Sequence, residues 1–187
     1  RARPQRPAGP VPRARAGRVD AQAPGGNGGG EGEVLIRGPH VMKGYYRNPT
    51  ETAKTIDAEG WLHTGDLGKL DETGKLHILG RSKELIIHGG FNVYPPEVEA
   101  ALHDHPQVVQ SAVVGRRRAG DEEVLACVQV APGDEVSPEE LRAFVKERLT
   151  GYKRPAQIIV ATDLPAAPTG KVLKHKLLTA FADQLEG

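Results

Sequence analysis

The sequence predicts an α+β fold, a small domain whose short sheet is packed by helices, with a β-rich piece ahead of it. Three observations carry this. Short β-branched runs at 33–37, 108–114, 124–130 and 157–160 have the length and composition of strands. Segments opening near 49, 95, 138 and 173 carry helix-start chemistry or apolar residues at helical spacing. Residues 69–78 form two alternating arms around a Gly-containing turn, the pattern of a hairpin.

Taken in order, Glu33–Arg37 is a strand closed by Gly38-Pro39. Asn48-Pro49-Thr50-Glu51 sets a capping residue, a proline at the first helical position and an acid at the third, so a short helix should run to about Ile56. Glu59-Gly60 turns the chain toward the hairpin of Lys69–Ile78. Leu85–Val93, with a glycine pair inside it, reads as two short strands or one kinked strand. Pro95-Pro96 opens a helix with Val98, Ala101 and Leu102 on one face. Val108–Val114 and Val124–Val130 read as buried strands joined by a charged loop, Arg116–Glu123. Ser137-Pro138-Glu139-Glu140 is a capping box, and Leu141, Phe144, Val145 and Leu149 give its helix an apolar stripe. Gln157–Val160 is a further strand, and Leu173, Leu177, Phe181 and Leu185 mark one final helix. The polar turn Gly80–Lys83 divides a β-rich segment, 31–81, from the small α+β domain, 82–187.

Composition sets residues 1–30 apart: 24 of the 30 are Arg, Pro, Ala or Gly, a mixture that builds no core and reads as disordered. The formal charge of +1 conceals +5 in this segment and −4 in the remainder. An Arg-rich tail attracts polyanions, but this one has no aromatic residue to stack on bases, and the acidic body is not a general polyanion binder. The lone Cys127 excludes an internal disulfide and a Cys-based zinc site. His103 and His105 lie two apart, off any common helical face, so no metal site is expected. No run of 18 apolar residues and no signal-type apolar stretch occurs, which makes the cytoplasm the expected location.

Four polar clusters stand out. Thr64-Gly65-Asp66 reads as a tight turn presenting a carboxylate, an acceptor able to take both hydroxyls of a vicinal diol; it also suits a routine turn. Gly80-Arg81-Ser82-Lys83-Glu84, followed by Gly89-Gly90, combines a planar donor fork with glycines that allow close backbone approach, or is a solvated charged turn. Pro168-Thr169-Gly170-Lys171 places a lysine on a loop before the last helix; it lacks the glycine spacing of a Walker A loop, yet the ammonium can meet charge developing on a phosphoryl or acyl oxygen. Gly151-Tyr152-Lys153-Arg154-Pro155 is a basic turn facing phosphate or water.

Their order and spacing combine them. Gly32–Gly38, Gly44-Tyr45-Tyr46, Gly60-Trp61-Leu62-His63-Thr64-Gly65-Asp66, Gly80-Arg81-Ser82-Lys83-Glu84-Leu85-Ile86, Gly90-Phe91-Asn92-Val93-Tyr94-Pro95-Pro96-Glu97-Val98-Glu99 and Pro168-Thr169-Gly170-Lys171 closely resemble the C-terminal third of the adenylate-forming acyl-CoA synthetase superfamily. The resemblance covers 31–187, and Arg37–Pro49 is most similar to long-chain fatty-acid-CoA ligases.

The resemblance implies that 31–81 is the β-rich end of a large adenylating domain and 82–187 the C-terminal AMP-binding-enzyme domain. It implies ATP-dependent formation of an acyl-adenylate and transfer of the acyl group to coenzyme A. Asp66 would hold the ribose hydroxyls of ATP and AMP, Arg81 would contact ribose or phosphate, and Lys171 would bridge carboxylate and phosphate as the catalytic residue. Lys83 matches the hinge, and Gly90 matches the glycine that lines the pantetheine tunnel. The Ser/Thr/Gly-rich phosphate loop, the aromatic-Gly-x-Thr-Glu segment whose Glu helps hold magnesium, and the acyl pocket have no counterpart in the 187 residues. The expectation is a ligase fragment inactive alone, whose partners are ATP, a carboxylic acid and coenzyme A, with an adenylating domain as a further partner. Its alternatives are a non-catalytic nucleotide- or CoA-binding or docking module, and a nucleic-acid-binding tail. Residues 1–30 read as an out-of-frame or misassigned start.

Overall fold

The computed structural model describes residues 14–16, 31–71, 73 and 75–185, which fall into two compact units dividing between Ile78 and Leu79. The first unit is built on β1 (Ala14–Ala16), β2 (Glu31–Ile36), α1 (Pro49–Thr55), β3 (Leu62–Leu70) and the start of β4 (Leu76–Arg81). Its sheet has the order β1-β2-β3-β4, with β1 and β2 antiparallel and β2 and β3 antiparallel. β1 lies inside the segment expected to be disordered; the rest of that segment lies outside the described residues. Asn48 caps α1 as its sequence predicts, its side-chain oxygen accepting from the Glu51 amide at 3.1 Å.

The second unit continues with β5 (Ile86–His88), β6 (Phe91–Val93), α2 (Pro95–His103), β7 (Val108–Arg118), β8 (Asp121–Val130), α3 (Pro138–Lys146), β9 (Gln157–Ala161), α4 (Lys174–Ala180) and α5 (Ala182–Leu185). Its main sheet has the order β7-β8-β9, with β7–β8 antiparallel and β8–β9 parallel. Side chains alternate across β8. Val124, Ala126, Val128 and Val130 enter a core with Val98 and Leu102 of α2 and Leu141 and Val145 of α3. Cys127 enters the opposite core with Ile159, Leu164 and Leu177 of α4. Helices therefore cover both faces, which is why residues 124–130 of this strand are apolar apart from Gln129. Burial also pushes the Cys127 thiol up to about 11, which leaves it a packed, inert hydrophobe.

Two expectations are corrected. Arg116–Glu123 is not a loop: β7 and β8 run on as a hairpin in which Arg116 faces Glu123, Arg117 faces Glu122 and Arg118 faces Asp121. Opposite charges compensate across the strands, with Arg116 Nη2 2.8 Å from Glu123 Oε2, and Ala119-Gly120 close the turn at positive φ. The last helix is two helices, interrupted at Phe181. Apolar residues four apart drift around a helix by roughly 40° per step, and the break keeps Phe181 and Leu185 packed on the same core as Leu177.

Candidate functional site

In the first unit, Thr64-Gly65-Asp66 lies within β3 rather than in a tight turn. Pairing of β2 with β3 shifts register between Glu33 and Leu35, so Thr64, Gly65 and Asp66 stand opposite Val34 alone. This bulge needs the positive φ of 71° that Gly65 supplies. It is held by Thr64, whose hydroxyl donates to the Val34 carbonyl at 2.8 Å and accepts from the Asp66 amide at 3.0 Å. Glu33 completes it, with one carboxylate oxygen taking the Gly65 amide at 3.0 Å and the other 2.9 Å from His63 Nδ1. Asp66 is thus half-buried on a fixed backbone. Glu33 lies in the Gly32–Gly38 motif, but no local signal assigns it a role, because its partners Gly65 and His63 come from another strand.

In the second unit, Arg81 ends β4 and is exposed, and Lys83 sits exposed in the 3-10 turn Ser82–Glu84 that follows. Gly90 and Gly89 are the two central residues of the β5–β6 hairpin, at φ of 80° and 58°. Positive φ at both positions is what a type I′ hairpin demands. The turn is anchored from β8: the Gly89 amide donates to Asp121 Oδ1 at 3.0 Å, and His88 Nδ1 lies 3.1 Å from Asp121 Oδ2. The Gly89 amide, with the Glu122 amide and His88, holds the Asp121 carboxyl below its ordinary value against a desolvation that acts the other way.

Lys171 occupies one arm of a tight loop. Ala166 and Val172 bridge across it, the Ala167 amide donates to the Lys171 carbonyl at 2.8 Å, and Gly170 turns the tip at φ 81°. The Lys171 side chain is exposed, and among the described residues its ammonium has no hydrogen-bond or ion-pair partner. Lys171 and Lys83 line one cavity of about 600 Å³, floored by Ile86, Val113, Leu173 and Leu178. This is a size suited to a small molecule.

Sequence reasoning passed over Lys174, which also lines this cavity. Its Nζ lies 2.6 Å from Glu84 Oε2 and 2.9 Å from Glu99 Oε1. Burial lowers its pKa, but the two carboxylates outweigh that effect and the net shift is upward, keeping the ammonium charged. For magnesium the residues do not fit: among the described residues no cluster of three His, Cys, Asp or Glu could hold a metal ion. No helix among the described residues is long and apolar enough to cross a membrane.

Residues 97–171 match the family described as AMP-binding enzyme C-terminal domain. A CoA ligase of Rhodococcus jostii (strain RHA1), named for a methyl-dioxo-octahydro-indenyl propanoyl group, is 48% identical over 80% of this chain and 29% of its own length. 4-Coumarate–CoA ligase 1 of Arabidopsis thaliana is 42% identical over 82% of this chain and 28% of its own. ATP-bound MatB from Rhodopseudomonas palustris superposes with a TM-score of 0.78 at 38% identity, covering 95% of this chain and 35% of that one. The o-succinylbenzoate CoA synthetase MenE of Bacillus subtilis, in complex with the acyl-adenylate intermediate OSB-AMP, has a TM-score of 0.72 at 39% identity, over 79% of this chain and 30% of that one. The chain thus spans less than a third of the length of the curated relatives it matches.

Proposed function

Since the chain corresponds to the C-terminal part of an adenylate-forming enzyme of the acyl-CoA synthetase family, we propose that it supplies the nucleotide and thioester contacts of a carboxylic acid–CoA ligase. The observation that carries this reading is Lys171: an exposed ammonium, without a partner among the described residues, on a loop whose backbone is held in a tight turn. Such a group places preorganised positive charge where a transition state gathers negative charge.

In the proposed reaction a substrate carboxylate oxygen bonds to the α-phosphorus of ATP, and the bond to pyrophosphate breaks. Lys171 lies between carboxylate and phosphate and lowers the cost of their approach. The thiolate of coenzyme A then bonds to the acyl carbon, and AMP departs with the electron pair of the broken C–O bond. Asp66, an acceptor on a rigid bulge, takes the ribose hydroxyls, and Arg81 contacts ribose or phosphate. Lys83 is the hinge between the two half-reactions, and Gly90 lines the path of the pantetheine arm. Arg37–Pro49 supports a fatty acid as the substrate, and the location that goes with this reading is the cytoplasm.

The 187 residues hold no phosphate loop, so on this reading they do not complete the reaction alone. The test joins the chain to the large adenylating domain of a related CoA ligase and follows pyrophosphate and acyl-CoA with a panel of fatty and aryl acids. Restored turnover that Lys171→Ala abolishes supports the ligase reading. Binding of nucleotide or CoA without turnover in any joined form favours the non-catalytic module instead, and fatty-acid-dependent AMP release by the unjoined chain overturns the dependence on a missing domain.

A further inference from the structure

Lys174 is the first residue of α4, a helix with no acidic residue in its first turn and a lysine again at 176. A cation there opposes the helix dipole, so the position gains nothing from helix stability. The opposing charge comes from elsewhere. Glu84, within the Ser82–Glu84 turn, approaches Lys174 Nζ to 2.6 Å, and Glu99 of α2 approaches to 2.9 Å. Glu99 is mostly buried and itself tied to the sheet, its Oε1 accepting from the Val113 amide of β7 at 2.8 Å. The chain Val113–Glu99–Lys174–Glu84 therefore runs from the core to the segment that holds Lys83.

The other end of the same device is the Lys171 loop. Its base is closed by the Leu173 amide donating to the Pro165 carbonyl at 2.7 Å, immediately before Lys174. Gln110 adds a longer contact, from Nε2 to the Gly170 carbonyl at 3.4 Å. One ammonium with two carboxylates thus fixes the point where the Lys171 loop enters α4 and, at the same time, the residue next to Lys83.

We propose that Lys174 is a positioning residue that clamps the Lys171 loop and the Lys83 turn to the common anchor Glu99, so that the two segments move as one piece of the domain. Only the consequence for catalysis rests on the ligase reading; the clamp is a property of this chain. A single half-buried ammonium serving two carboxylates is poorly replaced by an apolar side chain, which leaves two anions uncompensated. Arginine, with several donors in a fork, retains both contacts.

The test is amide hydrogen exchange on the full 187-residue chain, without substrates. In Lys174→Met the amides of Ala167, Gly170 and Leu173 and those of residues 82–85 exchange at least tenfold faster, while Val124–Val128 of β8 keep their protection and Lys174→Arg restores both segments. Glu84→Gln, a milder change, speeds 82–85 and leaves Ala167, Gly170 and Leu173 protected through Glu99. Unchanged exchange in Lys174→Met overturns the clamp, as does equal loosening of β8, which marks a merely structural residue, or failure of Lys174→Arg to rescue. Glu84→Gln loosening both segments overturns the assignment of Glu99 as common anchor. In the joined enzyme, Lys174→Met lowers kcat of both half-reactions with little change in KM for ATP. An inactive joined enzyme with the expected exchange pattern counts against the ligase reading and not against the clamp.

Discussion

Lys171 and Lys83 line the same cavity of about 600 Å³ in one compact unit, the first from the loop before α4 and the second from the turn after β4. The residue proposed for adenylation and the one proposed as hinge thus line one cavity, and Lys174 belongs to the same lining.

Lys171→Ala should leave folding intact, because its side chain is exposed and has no partner among the described residues. The melting transition should shift by no more than about 0.5 kcal/mol equivalent. In the joined enzyme, pyrophosphate release should slow, its barrier raised by about 2–4 kcal/mol, the scale of losing one oxyanion donor, with thioester formation from supplied acyl-adenylate far less affected. Equal losses in the two steps would refute the role.

Lys83→Pro tests the hinge. Lys83 is exposed in a 3-10 turn, so the ring fits there, but it restricts Ser82 before it and resists rotation of the backbone. Single-turnover measurements should find adenylation near its normal rate and thioester formation slowed. A normal thioester rate removes the hinge assignment.

Gly90→Ala separates a backbone requirement from a tunnel. A Cβ at Gly90 meets nothing within 4 Å, but its φ is +80°. The left-handed backbone alone should cost about 1–2 kcal/mol of stability, read by denaturant unfolding of the chain. A loss of thioester formation well beyond that strain, with adenylation spared, supports approach of the pantetheine arm to this position; losses no larger than the strain count against it.

The β7–β8 hairpin carries a pH dependence. The Arg116 guanidinium, with Arg118, holds the Glu123 carboxyl below its ordinary value of 4.5, outweighing the opposite effect of burial. A depressed folded value means that this contribution is complete above 4.5 and is lost as pH falls through the folded value. Melting curves for the parent chain and Glu123→Gln should therefore differ at neutral pH and converge in acid below 4.5. A difference that is constant across the range would assign the effect to packing instead.

Much of the fold is legible in the chain because its signals are local. The Asn48 and Ser137 caps, each accepting an amide three residues on at 3.1 Å, are written within four residues of sequence. The glycine pair Gly89-Gly90 marks either a turn between two short strands or a kink in one, and the structure decides for a hairpin with positive φ at both positions. The apolar positions of α2 and α3 follow from helical spacing and are buried where that spacing puts them. The motif order that carries the resemblance to the acyl-CoA synthetase superfamily is likewise a property of the sequence alone.

What only the tertiary structure decided are the relationships whose partners lie far apart. The charged run Arg116–Glu123 reads locally as a solvated loop; it becomes strand because each arginine finds a carboxylate opposite it once the hairpin registers. Thr64-Gly65-Asp66 reads as a turn and is a bulge, because β2 offers Val34 alone against three residues and Glu33 to hold them. Lys174 reads as one more lysine at a helix start. It acquires its partners only when packing brings Glu84, 90 positions earlier, and Glu99 to within 2.9 Å. Local chemistry closes turns and caps helices by bonds that span a few residues, whereas compensation of buried charge depends on which surfaces the hydrophobic core brings together.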